Sequence, residues 1–205
     1  GSGNASRSLT AVPGHLQVSL PNGNPDHDCW GASSNCAKLL RTLASGTSDF
    51  TIETKIDGVN IGSQYQTYGI MLWQDVLNYI RFEYWSQGAS PIVAAWKIQG
   101  GNGSSLISGP SVSLSGSNYL RVTKSGTTYQ LEYSQDGASW KLAGKVTVAN
   151  FFPAQFGIMV DNAGSNPAVT ANFDYVDVQY AGQISFIQIT QPPQGEVVNE
   201  GEAAT

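Results

Sequence analysis

The chain has 205 residues, which is enough for one large domain and too few for two ordinary domains with a linker. Only 12% of the residues are charged, against a usual figure of about 25%, and glycine is abundant, as in short strands joined by tight turns. The net charge of -5 disfavours a nucleic acid or an anionic membrane as partner, because both require a basic patch.

Alternation of apolar and polar residues with period two predicts strands along the chain. In the segment DFTIETKI, for example, one side of a strand carries Phe50, Ile52, Thr54 and Ile56. Turn signals such as Asp136-Gly137 separate the later strands. We expect these strands over residues 65–74, 77–86, 91–98, 119–124, 128–134, 140–148, 155–161 and 169–180. Because no helical pattern competes, the sequence predicts an all-β fold, a two-sheet antiparallel β-sandwich of the jelly-roll type.

The loop over residues 22–35 is the first candidate site along the chain, because binding groups are commonly displayed on loops. Asp26, His27 and Asp28 offer ligands for a metal ion, and Trp30 is suited to cap a sugar pocket. A third interpretation is that the acids satisfy backbone N–H groups of the loop. All three interpretations stay open at this point.

The two cysteines, Cys29 and Cys36, lie close together in the same loop. This spacing suits a local disulfide in an exported protein and matches no zinc pattern. We therefore expect a disulfide between them and a secreted, extracellular location; two unpaired thiols are the alternative.

Two consecutive strands offer aromatic rings beside planar polar groups, the mixture that a sugar needs. If Ile80, Phe82 and Tyr84 face the core, the opposite face is exposed to solvent and carries a second set of side chains. With Trp30 from the loop, the ligand-binding residues that we expect are Trp73, Tyr79, Arg81, Glu83 and Trp85. Alternatively, Trp73 and Trp85 fill the core while Arg81 and Glu83 form an ion pair on the other face. Trp96 fits either role.

The segment SQDGASW resembles the "Asp box" hairpin of sialidases, although its spacing departs from that pattern. We interpret it as structural: Asp136-Gly137 makes the turn and Trp140 packs inward.

A structural calcium ion is a further expectation, because hard cations favour carboxylate and carbonyl ligands. The metal-binding residues that we expect are Asp161, Asp174 and Asp177, with Asn162 as an additional donor and Asp57 as a weaker one.

Catalytic signatures are absent from the sequence. Glu83 with Glu53 or Glu132 is a conceivable acid pair for glycoside hydrolysis, but nothing in the spacing requires it. We expect that the chain is not an enzyme by itself, although it can be a fragment of a glycoside hydrolase.

Taken together, the segments from Ala11 to Val178 resemble the concanavalin A-like (laminin-G-like) domains on the C-terminal side of β-xylosidases and in large secreted bacterial proteins. Trp73 is a departure from that pattern. The segments that carry the resemblance are HLQVSLPNG, HDCWG, KLLRTL, DFTIETKI, YGIMLWQDVLNYIRFEYWSQG, YLRVTKSGTTYQLEYSQDGASW, FGIMVDNAG and NFDYVDV.

The resemblance implies an accessory domain beside a catalytic or adhesive neighbour. We expect a non-catalytic carbohydrate-binding module of a secreted bacterial polysaccharide-degrading or surface protein. Its partners would be a polysaccharide or glycan and the neighbouring domains of the same chain, and the module would be a monomer. The alternatives are a structural spacer or adhesin module, or a polysaccharide lyase or glycoside hydrolase of the same fold.

The composition changes near Gln183, where ISFIQITQPPQGEVVNEGEAAT resembles the opening of a bacterial immunoglobulin-like domain. We expect the sandwich to cover residues 1–182, and a linker with the truncated start of the next domain to cover residues 183–205.

Overall fold

The computed structural model describes residues 5–22, 27–44, 49–58, 61–88, 90–114, 116–181 and 183–185. These residues form fourteen strands in chain order. The strands are β1 (Ser6–Ser8), β2 (Leu16–Leu20), β3 (Ala37–Thr42), β4 (Phe50–Asp57), β5 (Gln66–Asp75), β6 (Asn78–Ser86), β7 (Pro91–Gln99), β8 (Asn102–Ser111), β9 (Ser117–Ser125), β10 (Thr128–Ser134), β11 (Lys141–Thr147), β12 (Gln155–Asn162), β13 (Val169–Tyr180) and β14 (Gln183–Ser185).

The strands form two sheets that pack face to face. One sheet has six strands in the order β3-β12-β5-β6-β7-β8. The other has eight, in the order β1-β2-β13-β4-β9-β10-β11 with β14 paired to β13. Every strand pair is antiparallel, and no helix occurs among the described residues. The predicted antiparallel β-sandwich is therefore confirmed.

Period-two alternation places the core between the sheets. In β4, Phe50, Ile52, Thr54 and Ile56 are buried, and the residues that alternate with them are partly exposed. From the other sheet, Phe82 and Tyr84 of β6 pack into the same cluster. Removing a buried ring such as that of Phe82 would cost about 3–5 kcal/mol.

Like β1 and β2, strands β3 and β8 were not among the expected strands. Both lie at the edges of the six-stranded sheet. Each carries exposed residues on both faces, so the alternation that marks a half-buried strand is weak there.

The last described strand, β14, covers the first three residues beyond the expected domain boundary and pairs with β13. The rest of the expected linker and second domain, residues 186–205, lies outside the described residues. No helix in the described part of the chain is long and apolar enough to cross a membrane.

Candidate functional site

Strands β5 and β6 have the phase that the sequence suggested. Ile80, Phe82 and Tyr84 pack in the core between the sheets. The outward-facing residues of β6 pair with those of β5: Trp73 with Tyr79, Met71 with Arg81, Gly69 with Glu83 and Thr67 with Trp85. The outer face of the six-stranded sheet is thus built from the predicted residues.

Part of this face is covered rather than exposed to solvent as expected. Tyr79 and Glu83 are fully buried, and Arg81 is 4% exposed. The cover is the loop of residues 27–36, in which Cys29 and Cys36 form a disulfide. A ligand cannot reach buried side chains directly. Tyr79, Arg81 and Glu83 therefore do not form the solvent-facing contact surface that the sequence predicted.

Beneath the loop, Arg81 is the centre of a buried charge network. Its guanidinium donates to both carboxylate oxygens of Glu83, over 2.8 and 2.9 Å. Nη1 also lies 3.0 Å from Oδ2 of Asp161 on β12. Two carboxylates therefore share one cation, with Asp28 close enough to act on the same groups. A buried charge needs such partners, because desolvation costs several kcal/mol per ion.

The pKa shifts follow from burial. Burial is the largest cause that raises the pKa of Asp161 to about 8; Arg81 opposes it, and the charges of Asp28 and Glu83 raise it further. Burial also raises the pKa of Glu83. For Arg81, burial disfavours the cation, but the attraction of Glu83 and Asp161 outweighs it and raises the pKa. Arg81 is therefore permanently charged.

Tyr79 and Trp73 support the loop from the side. The Tyr79 hydroxyl reaches the carbonyl oxygens of Gly31 and Ser33, at 3.2 and 3.0 Å. Trp73 stacks on the Tyr79 ring at 5.2 Å between centroids, and the Lys38 ammonium lies over Trp73. Trp73 is thus partly buried against its neighbours.

Beside the covered region, four aromatic rings form a continuous line, which we name the aromatic line: Trp30, Trp96, Trp85 and Tyr65. Trp96 meets Trp30 and Trp85 edge to face, with centroids 5.5 and 5.0 Å apart. Tyr65 stacks on Trp85 at 6.3 Å. The two ends are the most exposed, with Trp30 at 42% and Tyr65 at 50%.

Tyr65 has a strained backbone, with φ of 68°. An aromatic residue in this region costs about 1–3 kcal/mol and persists only where its surroundings hold it. Hydrogen bonds from Tyr65 N–H to Ser86 O and from Ala163 N–H to Tyr65 O fix it. Such strain is common at binding sites. The sequence analysis counted Tyr65 as the first residue of the strand over 65–74, whereas β5 begins at Gln66, so the place of Tyr65 in the aromatic line was not predicted.

The three acids chiefly expected to bind calcium, Asp161, Asp174 and Asp177, do not come together. Asp161 belongs to the six-stranded sheet and pairs with Arg81, whereas Asp174 and Asp177 lie on β13 in the eight-stranded sheet. Asp174 accepts from Lys55 at 2.7 Å, and the weaker candidate Asp57 contacts the same ammonium. Because these acids are divided between the two sheets, and Arg81 and Lys55 already pair with Asp161 and Asp174, the set does not fit one calcium ion.

One group of possible metal ligands does converge: His15, Asp57 and Asp174. The Lys55 ammonium lies 3.2 Å from Asp57 and 2.7 Å from Asp174, where a metal would compete with it. We therefore interpret the group as an ion-pair network.

In the covering loop, His27 is fully buried and neither ring nitrogen has a hydrogen-bond partner among the described residues. His27 pairs through its backbone with Asn162. Asn162 in turn donates to the carbonyl oxygens of Pro21 and Pro167 and so holds loops together rather than a metal. Asp26 lies outside the described residues.

The conceivable acid pair for hydrolysis is also separated. Glu83 is buried on the six-stranded sheet, while Glu53 and Glu132 both contact Arg121 on the outer face of the other sheet. Carboxylates on opposite sides of a sandwich cannot flank one glycosidic bond.

A depression lined by Asn78, Lys97 and Phe151 holds about 10 Å³, roughly the space for one water molecule.

Trp140 does not pack inward as expected. It lies on the outer face of the eight-stranded sheet, with the Arg121 guanidinium 3.9 Å above its ring and Tyr119 edge to face at 6.4 Å. The register of β9 explains this, because Leu120 and Val122 take the inward positions next to Arg121.

Comparison with known proteins places the chain within a family. A sequence profile described as "Protein of unknown function (DUF1349)" matches residues 22–181. No curated protein matches. Three solved structures illustrate the similarity of fold, and all three share less than a quarter of their residues with this chain.

Two of these structures are glycoside hydrolases. A mutant of the GH43 protein BlXynB from Bacillus licheniformis is 18% identical, with a TM-score of 0.72, over 86% of this chain and 35% of that one. A xylan beta-1,4-xylosidase from Bacillus halodurans C-125 is 20% identical, with a TM-score of 0.62, over 84% and 34%. This chain therefore spans about a third of the length of these two enzymes.

The third structure is a single module of similar size. It is the carbohydrate binding module CBM66 from Bacillus subtilis, 16% identical with a TM-score of 0.57, over 86% of this chain and 92% of that one. The resemblance to xylosidase accessory domains, inferred from the sequence, is confirmed at the level of fold.

Proposed function

Because the chain belongs to the DUF1349 family, which has no assigned function, we propose its role from its own surface: it is a non-catalytic carbohydrate-binding module. The observation that carries this proposal is the aromatic line on the outer face of the six-stranded sheet. Sugar rings present apolar C–H faces that pack on aromatic rings. A row of rings therefore suits consecutive sugar units of an extended chain.

Hydroxyl groups of a sugar also need polar partners, and β8 supplies one beside the line. Ser105 is exposed and pairs directly across from Trp96. Directly opposed residues have Cβ atoms about 4.5–5.5 Å apart. The Ser105 hydroxyl thus lies within reach of a sugar that packs on Trp96.

The expected ligand is a neutral polysaccharide. The aromatic line itself carries no charge, and the chain as a whole has a net charge of -5. This net negative charge disfavours uronate-rich polymers such as pectin. A shallow surface buries little area, so we expect affinity on the order of micromolar to millimolar.

The test is affinity gel electrophoresis with xylan, cellulose, mixed-linkage β-glucan and pectin, comparing the wild type with Trp30→Ala, Trp96→Ala and Trp140→Ala. Trp140 is the matched control because it lies on the opposite sheet. We expect retention by a neutral polymer that the first two variants weaken at least about tenfold, or ~1.4 kcal/mol, and the control preserves.

A folded protein that no polymer retains would contradict the proposal and favour the spacer or adhesin role. Release of reducing sugars or unsaturated products would instead favour a hydrolase or lyase. Repeating the gel with calcium and with EDTA tests the metal, and we expect no change because Arg81 and Lys55 already pair with the acids.

We further propose that the module is exported and works beside other domains. The Cys29–Cys36 disulfide supports export, because such bonds persist in oxidising compartments. Since the chain spans about a third of the GH43 structures that it resembles, neighbouring domains of the same protein are its natural partners. Immunoblotting of the culture fluid of the producing cells tests the location.

A further inference from the structure

One attachment of the covering loop to the sheet is the backbone of Cys29. Its N–H donates to Asp161 Oδ2 at 3.2 Å, and its carbonyl oxygen accepts from Arg81 Nη1 at 2.5 Å. The same Nη1 lies 3.0 Å from Asp161 Oδ2. Two side chains from two strands therefore hold both polar groups of a single peptide residue.

The next residue along the chain is Trp30, which ends the aromatic line. Its ring lies against Gly103 on β8, where an added Cβ would come within 2.4 Å of the indole. Trp96 contacts the same ring from the sheet. Because Trp30 follows Cys29 directly, we expect a shift of the Cys29 backbone to move the indole away from Gly103 and Trp96.

We propose that Arg81 and Asp161 are positioning residues for the carbohydrate surface: with the Cys29–Cys36 disulfide, they hold the loop so that Trp30 stays on Gly103 and Trp96. Neither side chain can touch a sugar, since they are 4% and 1% exposed. Their effect on binding must therefore pass through the loop. Only the affinity measurement that tests this proposal rests on the proposed function; the measurement of the Trp30 position does not.

The position of Trp30 can be measured without any ligand by ¹⁹F NMR of protein labelled with 5-fluorotryptophan. The chain has five tryptophans, so each resonance can be assigned with one Trp→Phe variant. We expect Asp161→Ala and Cys29→Ser/Cys36→Ser to move the Trp30 resonance towards the position of a solvated indole. Trp140, on the opposite sheet, should not move.

Asp161→Asn is the conservative rescue. It removes the ionisable carboxyl group but keeps an oxygen that accepts the Cys29 N–H, so we expect its Trp30 resonance to stay near the wild-type position. If Asp161→Ala fails to fold by circular dichroism, the Cys29→Ser/Cys36→Ser variant provides the same reading. A Trp30 resonance unmoved in folded Asp161→Ala or in the cysteine variant would overturn the proposal.

A double-mutant cycle on the retained polysaccharide then asks whether Asp161 acts through Trp30. We expect Asp161→Ala and Trp30→Ala to lower the affinity by similar factors, and the double variant to bind no more weakly than Trp30→Ala alone. Factors that multiply in the double variant would show that Asp161 acts independently and would refute the positioning role. If no polysaccharide binds at all, the proposed function fails while the NMR result still decides the position of Trp30.

Discussion

The outer faces of the two sheets contain the same kinds of residue in different surroundings. Both have an arginine between two acids, together with tryptophan and tyrosine. On the eight-stranded sheet, Arg121 bridges Glu53 and Glu132 with its side chain 26% exposed. On the six-stranded sheet, the disulfide loop buries Arg81 with Glu83 and Asp161. The covering loop, rather than the type of residue, therefore makes the charge network of one face buried and that of the other partly exposed.

The largest expected difference between the two faces is the cost of losing each arginine. Arg81→Met leaves two carboxylates buried without their cation and should lower the free energy of unfolding by about 3–5 kcal/mol. Arg121→Met removes a partly exposed pair and should cost less than about 1 kcal/mol. Urea unfolding of both variants measures the difference. Equal losses would show that the loop does not desolvate the Arg81 network.

Removing the disulfide tests the loop itself. The bond closes a short loop with a sequence separation of 7, for which chain entropy predicts a loss of about 2–3 kcal/mol in Cys29→Ser/Cys36→Ser. We expect amide hydrogen exchange to rise in residues 27–36 and to stay unchanged around Arg121. Unchanged exchange in the loop would contradict its dependence on the disulfide.

We expect Tyr65 to lower stability, because its positive φ strains the folded backbone. Tyr65→Gly relieves the positive φ and should raise the free energy of unfolding by up to about 1 kcal/mol. It should also weaken retention on the affinity gel, since one end of the aromatic line is lost. A variant that loses stability and keeps its affinity would contradict this role of Tyr65.

The smallest expected effect lies on the eight-stranded sheet, at His15. A hydrogen bond to Asp57 is the largest cause that raises the His15 pKa above 6.5. Since the folded state binds the proton more tightly, this stabilisation is complete below about pH 6.5 and is lost as the pH rises through the raised pKa. Solvent screening keeps it below about 1 kcal/mol.

Denaturant midpoints of the wild type and His15→Gln, measured across this range of pH, check the direction. The difference in stability should shrink as the pH increases. A difference that grows with pH would mean that the neutral imidazole is the favoured form.

The sequence predicted the parts of the site that depend on strand periodicity. Alternation in β6 placed Arg81, Glu83 and Trp85 on one face because side chains alternate at every residue. It did not show what covers that face, since the loop carbonyl that Arg81 binds is 52 residues away in the chain. Periodicity also cannot bring Asp161 to Cys29 across a separation of 132 residues.

Trp140 and Tyr65 illustrate two other limits. Trp140 follows a hairpin turn, where a shift of one residue exchanges the inner and outer faces. Tyr65 owes its place to a backbone conformation that aromatic residues rarely adopt, so no propensity indicates it. The segments that resemble xylosidase accessory domains lie largely in strands, and for that reason they predicted the fold better than the site.

Carbohydrate binding by the aromatic line can be tested directly by a ¹⁹F NMR titration of 5-fluorotryptophan-labelled protein with xylo-, cello- and mixed-linkage gluco-oligosaccharides. If the aromatic line binds carbohydrate, the resonances of Trp30, Trp85 and Trp96 should shift together with one saturation curve, while Trp140 stays fixed. If Trp140 alone shifts, or if none of the five responds at millimolar sugar, the carbohydrate-binding role of this surface is contradicted.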